Sequence, residues 1–309
     1  MELVTTNTPN ATPAKAYIAS LRTDTGKRGM MSAINTITRL MGANDWQAVN
    51  WATLNAANVR AIMAKATGAP ATRNKILSAL KGIARMGHEL NLIDGDTVAM
   101  IERVHGDKGT RLPAGRAVDA GEVLQLIHAT VKDNSAAGYR DMAIIAMLRQ
   151  TGMRRAELAG LTMADITAAD DRATLRIIGK GNKERMAYLR NGAYKALRDW
   201  LAIRGSDAGH VFCAINKGGV LTCGAGMSTT AIHLILQKRV DAAGIDAFTA
   251  HDLRRTFASD LLDAGQDIVT VAGLMGHSSV TTTQRYDRRG ERARETAAAF
   301  ISVPYAGRK

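Results

Sequence analysis

Ala173-Thr174-Leu175-Arg176-Ile177-Ile178-Gly179-Lys180-Gly181-Asn182-Lys183-Glu184-Arg185-Met186-Ala187-Tyr188-Leu189 is the stretch that decides the fold class. Its flanks, 173–178 and 184–189, have strand character, and Gly179-Lys180-Gly181-Asn182 between them supplies residues that tolerate a tight turn, so the stretch predicts a β-hairpin. Around it the apolar spacing is helical. Helices are expected over 119–131 and 139–149 before the hairpin, the second almost wholly apolar and therefore buried. After it, helices are expected over 193–203, 228–243, 251–264, 268–274 and 279–284, with a last basic helix over 291–301. The expected fold is mainly α with a small β-sheet.

Further out, 106–115 holds three glycines and a proline with no apolar period, the composition of a linker. The chain is accordingly read as a disordered lead-in (1–12), a helical domain (13–104), a linker (105–115) and a second, α+β domain (116–309) ending in a helix and tail. In the first domain helices are expected over 14–21, 28–41, 58–66 and 71–90, with a turn at 46–51. Met31, Ile34, Ile37 and Leu40 repeat near the helical period, as do Ile76, Leu80, Ile83 and Met86.

The 309 residues include only 3 Trp, 6 Tyr and 4 Phe. Small and aliphatic side chains must therefore fill the cores, which suits packed helices better than a β-sandwich. The longest apolar run, Met142 to Leu148, falls far short of the roughly 18 residues a membrane span requires. Met1 to Thr6 lack the basic and apolar regions of a leader, so a cytoplasmic location is expected. Two cysteines, Cys213 and Cys223, cannot make a disulfide framework or a four-ligand zinc site, and reduced structural thiols are expected. A net charge of +13 and a pI near 10.0 point to a polyanionic partner, foremost nucleic acid. Both domains share the basic excess.

Four groups of residues carry chemistry when read together: Thr151-Gly152-Met153-Arg154-Arg155-Ala156-Glu157-Leu158, Gly179-Lys180-Gly181-Asn182-Lys183-Glu184-Arg185, His251-Asp252-Leu253-Arg254-Arg255-Thr256-Phe257, and Leu274-Met275-Gly276-His277 followed by Tyr286. Covalent cleavage of a phosphodiester needs a nucleophile, an acid for the leaving oxygen, and positive charge around the transition state. Arg154 and Arg254 are of the right type, since a guanidinium fork holds two phosphate oxygens and stays charged. Their neighbours Arg155 and Arg255 point about 100° away on a helix and are expected to face elsewhere. A tyrosine with pKa near 10 needs nearby cations or a base to react. A lysine on a hairpin tip can reach into a groove, and both Lys180 and Lys183 are placed for it. His251, Asp252 and His277 also form a possible set of metal ligands, but the surrounding cations already bring the charge a metal would supply. His210 and His233 lie outside the motifs and read as ordinary histidines.

In their order, Arg154, Lys180, His251-x-x-Arg254, Gly276-His277 and Tyr286, these residues resemble the tyrosine recombinase family, the phage-integrase type of site-specific recombinase. The resemblance is specific over 150–290 and only architectural over 13–104, where it implies a helical (SAM-like) core DNA-binding domain. It implies that Tyr286 is the nucleophile forming a 3′-phosphotyrosyl link, that Arg154 and Arg254 clamp the scissile phosphate, and that Lys180 rather than Lys183 protonates the leaving 5′-oxygen. His251 and His277 would donate to the phosphate or carry the tyrosine proton, and Glu157 and Asp252 would orient Arg or His side chains. Tyr139, Tyr188, Tyr194 and Tyr305 lack the preceding Gly-His.

The family further implies no metal, ATP or other cofactor. The implied partner is double-stranded DNA with a specific recombination site, bound by a homo-tetramer across two sites and exchanged through a Holliday junction, with accessory DNA-bending proteins as optional partners and no membrane. Location would be cytoplasmic, with the nucleoid when DNA-bound. With a short lead-in, no additional arm-site-binding domain is expected, and 288–301 is expected to dock on a neighbouring protomer. The leading expectation is an integrase of a mobile element or prophage. An Xer-type resolvase of chromosome or plasmid multimers, a type IB topoisomerase and a non-catalytic DNA-binding regulator are the alternatives.

Overall fold

Side-chain caps start most of the helices. Thr12 and Thr23 accept backbone N–H bonds at the heads of α1 (Pro13–Ser20) and α2 (Asp24–Leu40), as Asn55 does for α3 (Ala56–Lys65). A proline in the first turn opens α4 (Pro70–Glu89), and Asp94 caps α5 (Gly95–Glu102). The structure, a computed structural model, describes residues 12–109, 115–179, 181–277, 279–284 and 298. It divides into two compact units, Met1–Pro113 and Ala114–Lys309.

In the first unit α4 is the central helix. Ile76, Leu77, Leu80 and Ile83 are buried on it, facing Ile34 and Ile37 of α2 and Val59 and Ile62 of α3. Trp51 fills the floor at 1% exposure, its indole N–H donating to the Trp46 carbonyl at 2.8 Å. A side chain at Gly82 would collide with the Tyr17 ring, so the missing Cβ is what lets α1 approach α4. Two details differ from the sequence reading. Thr23 starts α2 four residues before 28, ahead of the apolar repeat, and α5 was not anticipated, because its eight residues show too little amphipathic pattern.

The second unit opens with α6 (Ala120–Val131), held by a reciprocal cap between Asp119 and Glu122. The next helix, α7 (Ala136–Thr151), is buried along most of its length, as its apolar run predicts. After α8 (Arg155–Gly160) come β1 (Ile166–Ala168), β2 (Arg172–Ile178) and β3 (Glu184–Arg190), a three-stranded antiparallel sheet in that order. Ala173, Leu175 and Ile177 face the core from β2, and Ala187 and Leu189 from β3, the two-residue period of a half-buried sheet. The ladder ends at Ile178 opposite Glu184, and the Gly179 N–H donates to the Lys183 carbonyl at 2.7 Å. The connection is therefore 179–183, one residue longer than expected. Gly181 and Asn182 take its left-handed positions, at φ 76° and 58°. Lys180 lies outside the described residues.

The chain continues through α9 (Asn191–Arg204), the small hairpin β4 (Cys213–Ile215) and β5 (Leu221–Gly226), α10 (Thr229–Ala243), α11 (Ala250–Asp263), α12 (Ile268–Met275) and α13 (Val280–Gln284). The helices from α9 onward match the sequence reading to within two residues. The short elements α8, β1, β4 and β5 were not foreseen. The 291–301 helix, like 1–11 and 110–114, falls outside the described residues except for Ala298.

One expectation is corrected. Cys213 and Cys223 are joined in a disulfide, where the sequence reading had reduced thiols. A register shift beside Cys213 brings the two Cα atoms to 4.8 Å across the β4–β5 hairpin, a separation a disulfide spans. Without that strand pairing in view, ten residues of separation carried no signal.

In the second unit, α7 and α10 are linked by buried charge. Asp141 accepts from Arg140 at 2.8 Å and from Arg239 at 2.7 Å, and Arg239 also meets Asp133 at 2.7 Å. The Ser135 hydroxyl and the Arg239 guanidinium together hold the Asp133 carboxyl at about 2. Removing the shared carboxylate would leave the Arg140 guanidinium without an ion pair in the core and Arg239 with Asp133 alone. Asp141→Ala is therefore expected to cost about 3–5 kcal/mol of stability. A urea denaturation midpoint within experimental error of wild type would contradict this.

Candidate active site

Gly152 ends α7 in the left-handed region, at φ 57°, with the Phe257 ring packed where a Cβ would stand. The turn aims the Gly152 carbonyl at Arg254 and delivers Arg154 to the N-cap position of α8. There the Arg154 backbone N–H donates to Glu157 Oε2 at 2.9 Å, while its Nη1 donates to Glu157 Oε1 at 2.6 Å. Glu157 is buried at 4% side-chain exposure, whereas Arg154 keeps 38%. Arg154 is thus a half-exposed cation on a fixed carboxylate. From β3, Arg185 Nη2 reaches the same carboxylate at 2.9 Å. Burial alone would raise the Glu157 pKa, but the hydrogen bonds from Arg154 and the charge of Arg185 hold it below the ordinary range.

Arg254, on α11, is 2% exposed. Its guanidinium donates to the carbonyls of Gly152 and Met275, and its Nη2 stands 3.0 Å from His277 Nε2. It therefore ties the end of α7 to the end of α12. Gly276, left-handed at φ 64°, ends α12 and turns the chain so that His277 faces Arg254. A guanidinium has only donors, so Nε2 accepts, and Nδ1 carries the proton toward Thr283 Oγ1 at 2.8 Å. The buried Thr283 had no sequence signal, lying six residues past the histidine on α13.

The His277 pKa falls to about 4, first through burial and then through the charges of Arg254, Arg154, His251 and Arg185. His251, in the first turn of α11, is also lowered, by burial and then by Arg254, with Asp252 opposing. An unfolded histidine titrates near 6.5. As pH falls from about 6.5 toward 4, the unfolded chain takes up a proton that folded His277 refuses, so stability is full above this window and is lost across it. Wild type is expected to lose more urea stability than His277→Gln between pH 7 and pH 4.5. Parallel curves for the two proteins would contradict the assignment.

Arg154, Glu157, Gly179, Arg185, Gly276 and His277 line one cleft of about 200 Å³, together with Lys183. The structure thus brings Arg154 and His277 to one cleft and sets Arg254 against His277. Asp252 sits differently. Its Oδ2 accepts from the Thr249 backbone at 2.9 Å and hydroxyl at 2.8 Å, and its Oδ1 lies 4.0 Å from Arg255. It caps α11, the helix that carries His251 and Arg254, and its charge also acts on His251 directly. Arg155 reaches the Thr229 carbonyl, away from the cleft. Tyr286 and Lys180 lie outside the described residues. Among the described residues no three His, Cys, Asp or Glu side chains gather as metal ligands, and no helix is long and apolar enough to cross a membrane. A larger cavity of about 580 Å³ between α6, α7 and α9 contains none of the motif residues. Volume alone does not locate the chemistry.

What this geometry defines is a cleft lined by Arg154, Lys183 and Arg185 in the second unit of a two-unit helical scaffold. The chain belongs to the phage integrase family, whose model matches residues 116–292. Among curated relatives, a tyrosine recombinase XerC of Chromohalobacter salexigens is 32% identical over 247 residues, covering 77% of this chain and 78% of that one. A tyrosine recombinase XerC of Actinobacillus pleuropneumoniae is 30% identical, covering 87% and 83%. That of Corynebacterium glutamicum is 39% identical over 156 residues, half of this chain and 48% of its own. Among solved structures, the fold is shared with XerH site-specific recombinase bound to a palindromic difH substrate in a post-cleavage complex (TM-score 0.68, 21% identity, 89% and 79% of the two chains). It is shared also with a lambda integrase tetramer bound to a Holliday junction (TM-score 0.61, 16% identity, 96% and 78%).

Proposed function

We propose that this tyrosine recombinase cuts and rejoins DNA at a specific site, with Tyr286 as nucleophile and Arg154, Arg254, Lys180, His251 and His277 around the scissile phosphate. The observation that carries this reading is the junction of three distant motif segments. Arg254 holds Gly152 and Met275, and its guanidinium meets His277, while Arg154 opens onto the same cleft. In the reaction the Tyr286 oxygen attacks phosphorus as its proton leaves to a base such as a histidine. The P–O5′ bond breaks, and the departing 5′-oxygen takes a proton from Lys180. Arg154 and Arg254 offset the charge that builds on the non-bridging oxygens. The phosphotyrosyl bond retains the energy of the phosphodiester, so a 5′-hydroxyl from a second duplex can reverse the step without ATP.

Residues 13–104 would supply the core DNA-binding domain, and four protomers would join two sites, with 288–301 docking on a neighbour. Work on nucleoid DNA in the cytoplasm follows from this. Within the family we favour the integrase of a mobile element. The XerC relatives support the second reading, a resolvase of chromosome or plasmid multimers.

The test uses a nicked suicide duplex built from the DNA flanking the gene. A covalent protein–DNA band that survives EDTA and needs the site is expected. Relaxation of any supercoiled plasmid without a site would favour a type IB topoisomerase. Binding with no adduct would indicate a regulator.

A further inference from the structure

Arg185 is a buried cation that the reaction scheme above does not use. We infer that it is a positioning residue of the recombination reaction, coupling the Arg154–Glu157 pair to the Gly276–His277 turn. The inference rests on the placement of Arg154 and His277 at the phosphate site.

Three observations carry it. The first is the shared carboxylate. Glu157 gives Oε1 to Arg154 and Oε2 to Arg185, so the second guanidinium limits where the carboxylate, and hence Arg154, can sit. Arg185 is only 9% exposed, and a guanidinium remains charged even where burial works against it. The second is packing. A Cβ on Gly276 would stand 2.8 Å from Arg185 Cδ and 2.9 Å from its Nε, so the Arg185 stem occupies the space that glycine leaves beneath the turn carrying His277. The third is unsatisfied hydrogen bonding. Nε and Nη1 of Arg185 are buried with no hydrogen-bond partner among the described residues, in a side chain that lines the cleft. A guanidinium kept only for stability would be expected to have those donors paired, because leaving them unpaired is costly. Arg185 thus connects β3, the strand that leaves the Lys180 loop, to both of the other motif segments at the cleft.

Errors of 1 Å in such a site cost about 10²-fold in rate, so the expected signature lies in the chemical step. Single-turnover cleavage of the suicide duplex at saturating full-length protein should fall about 10–100-fold in Arg185→Met, with the Kd for the duplex within about twofold of wild type. Arg185→Lys, which keeps the charge and most of the stem, should recover part of the rate. In a Glu157→Gln background Arg185→Met should cost less than about threefold, because the link it acts through is already broken. Wild-type cleavage in Arg185→Met, a matching loss of DNA affinity (the mark of a direct DNA contact), or full additivity with Glu157→Gln would each overturn the inference. If Arg185→Met fails to fold, Arg185→Lys with and without Glu157→Gln gives the same readout. Arg154→Ala in the same assay separates the two levels. If it cleaves normally, the site assignment itself is wrong; if it is inactive while Arg185→Met is not, only this inference fails.

Discussion

Tyr286→Phe is expected to abolish the covalent protein–DNA adduct while the protein still binds its site. The substitution removes one oxygen and leaves the ring, so shape and charge in the vicinity are kept. What is lost is the phenol that stands nine residues after His277 in the motif order. A phenol near pKa 10 is mostly protonated at neutral pH, and its reactivity depends on the cations and bases around the phosphate. The turn brings His277 to Arg254 and the cleft wall, which places such groups together. Because the loss is of the nucleophile itself, no residual adduct is expected at any incubation time. Trapping by gel shift and denaturing electrophoresis on the same samples separates binding from chemistry. An adduct in Tyr286→Phe would move the nucleophile elsewhere.

Arg154→Ala should lose about 2–4 kcal/mol of transition-state stabilisation, the range for removing one charge-stabilising donor from a preorganised site. This corresponds to a cleavage rate lower by about 30- to 10³-fold. Arg154 is suited to the role because Glu157 fixes it from below, through both the backbone N–H and the guanidinium, while more than a third of the side chain stays exposed to meet a phosphate. The fold should survive the change, since the exposed part of the side chain carries little packing. Arg254 offers no such clean test. Its guanidinium is buried and holds two backbone carbonyls, so its removal would cost stability and chemistry together. Single-turnover rates at saturating protein check the Arg154 expectation, and a wild-type rate would contradict the clamp.

Much of the long-element architecture was legible in the sequence. The 3.6-residue period over α2 and α4, the apolar run of α7 and the glycine-bearing turn of the β2–β3 hairpin are local signals, and local signals survive without coordinates. What escaped was short or relational. The six residues of α8 have no room for a period, and β4–β5 form around a register shift that no alternation announces. The disulfide followed from that missed pairing. Asp252 is read as orienting Arg or His side chains; what the sequence did not announce is that, three residues past Thr249, it is also the reciprocal cap of α11. Arg185 stood in plain view beside the hairpin turn, yet its partner Glu157 lies 28 residues away on another element, and only the fold sets the two 2.9 Å apart.

The central claim is that one phenolic oxygen, Tyr286, forms the bond to DNA at a phosphate held by the cationic cleft. The most direct measurement is to digest the trapped adduct with protease and nuclease and locate the nucleotide-bearing peptide by mass spectrometry. The account predicts a 3′-phosphonucleotide on Tyr286 alone. The same modification on Tyr188, on a serine, or on no residue of the trapped protein would contradict it.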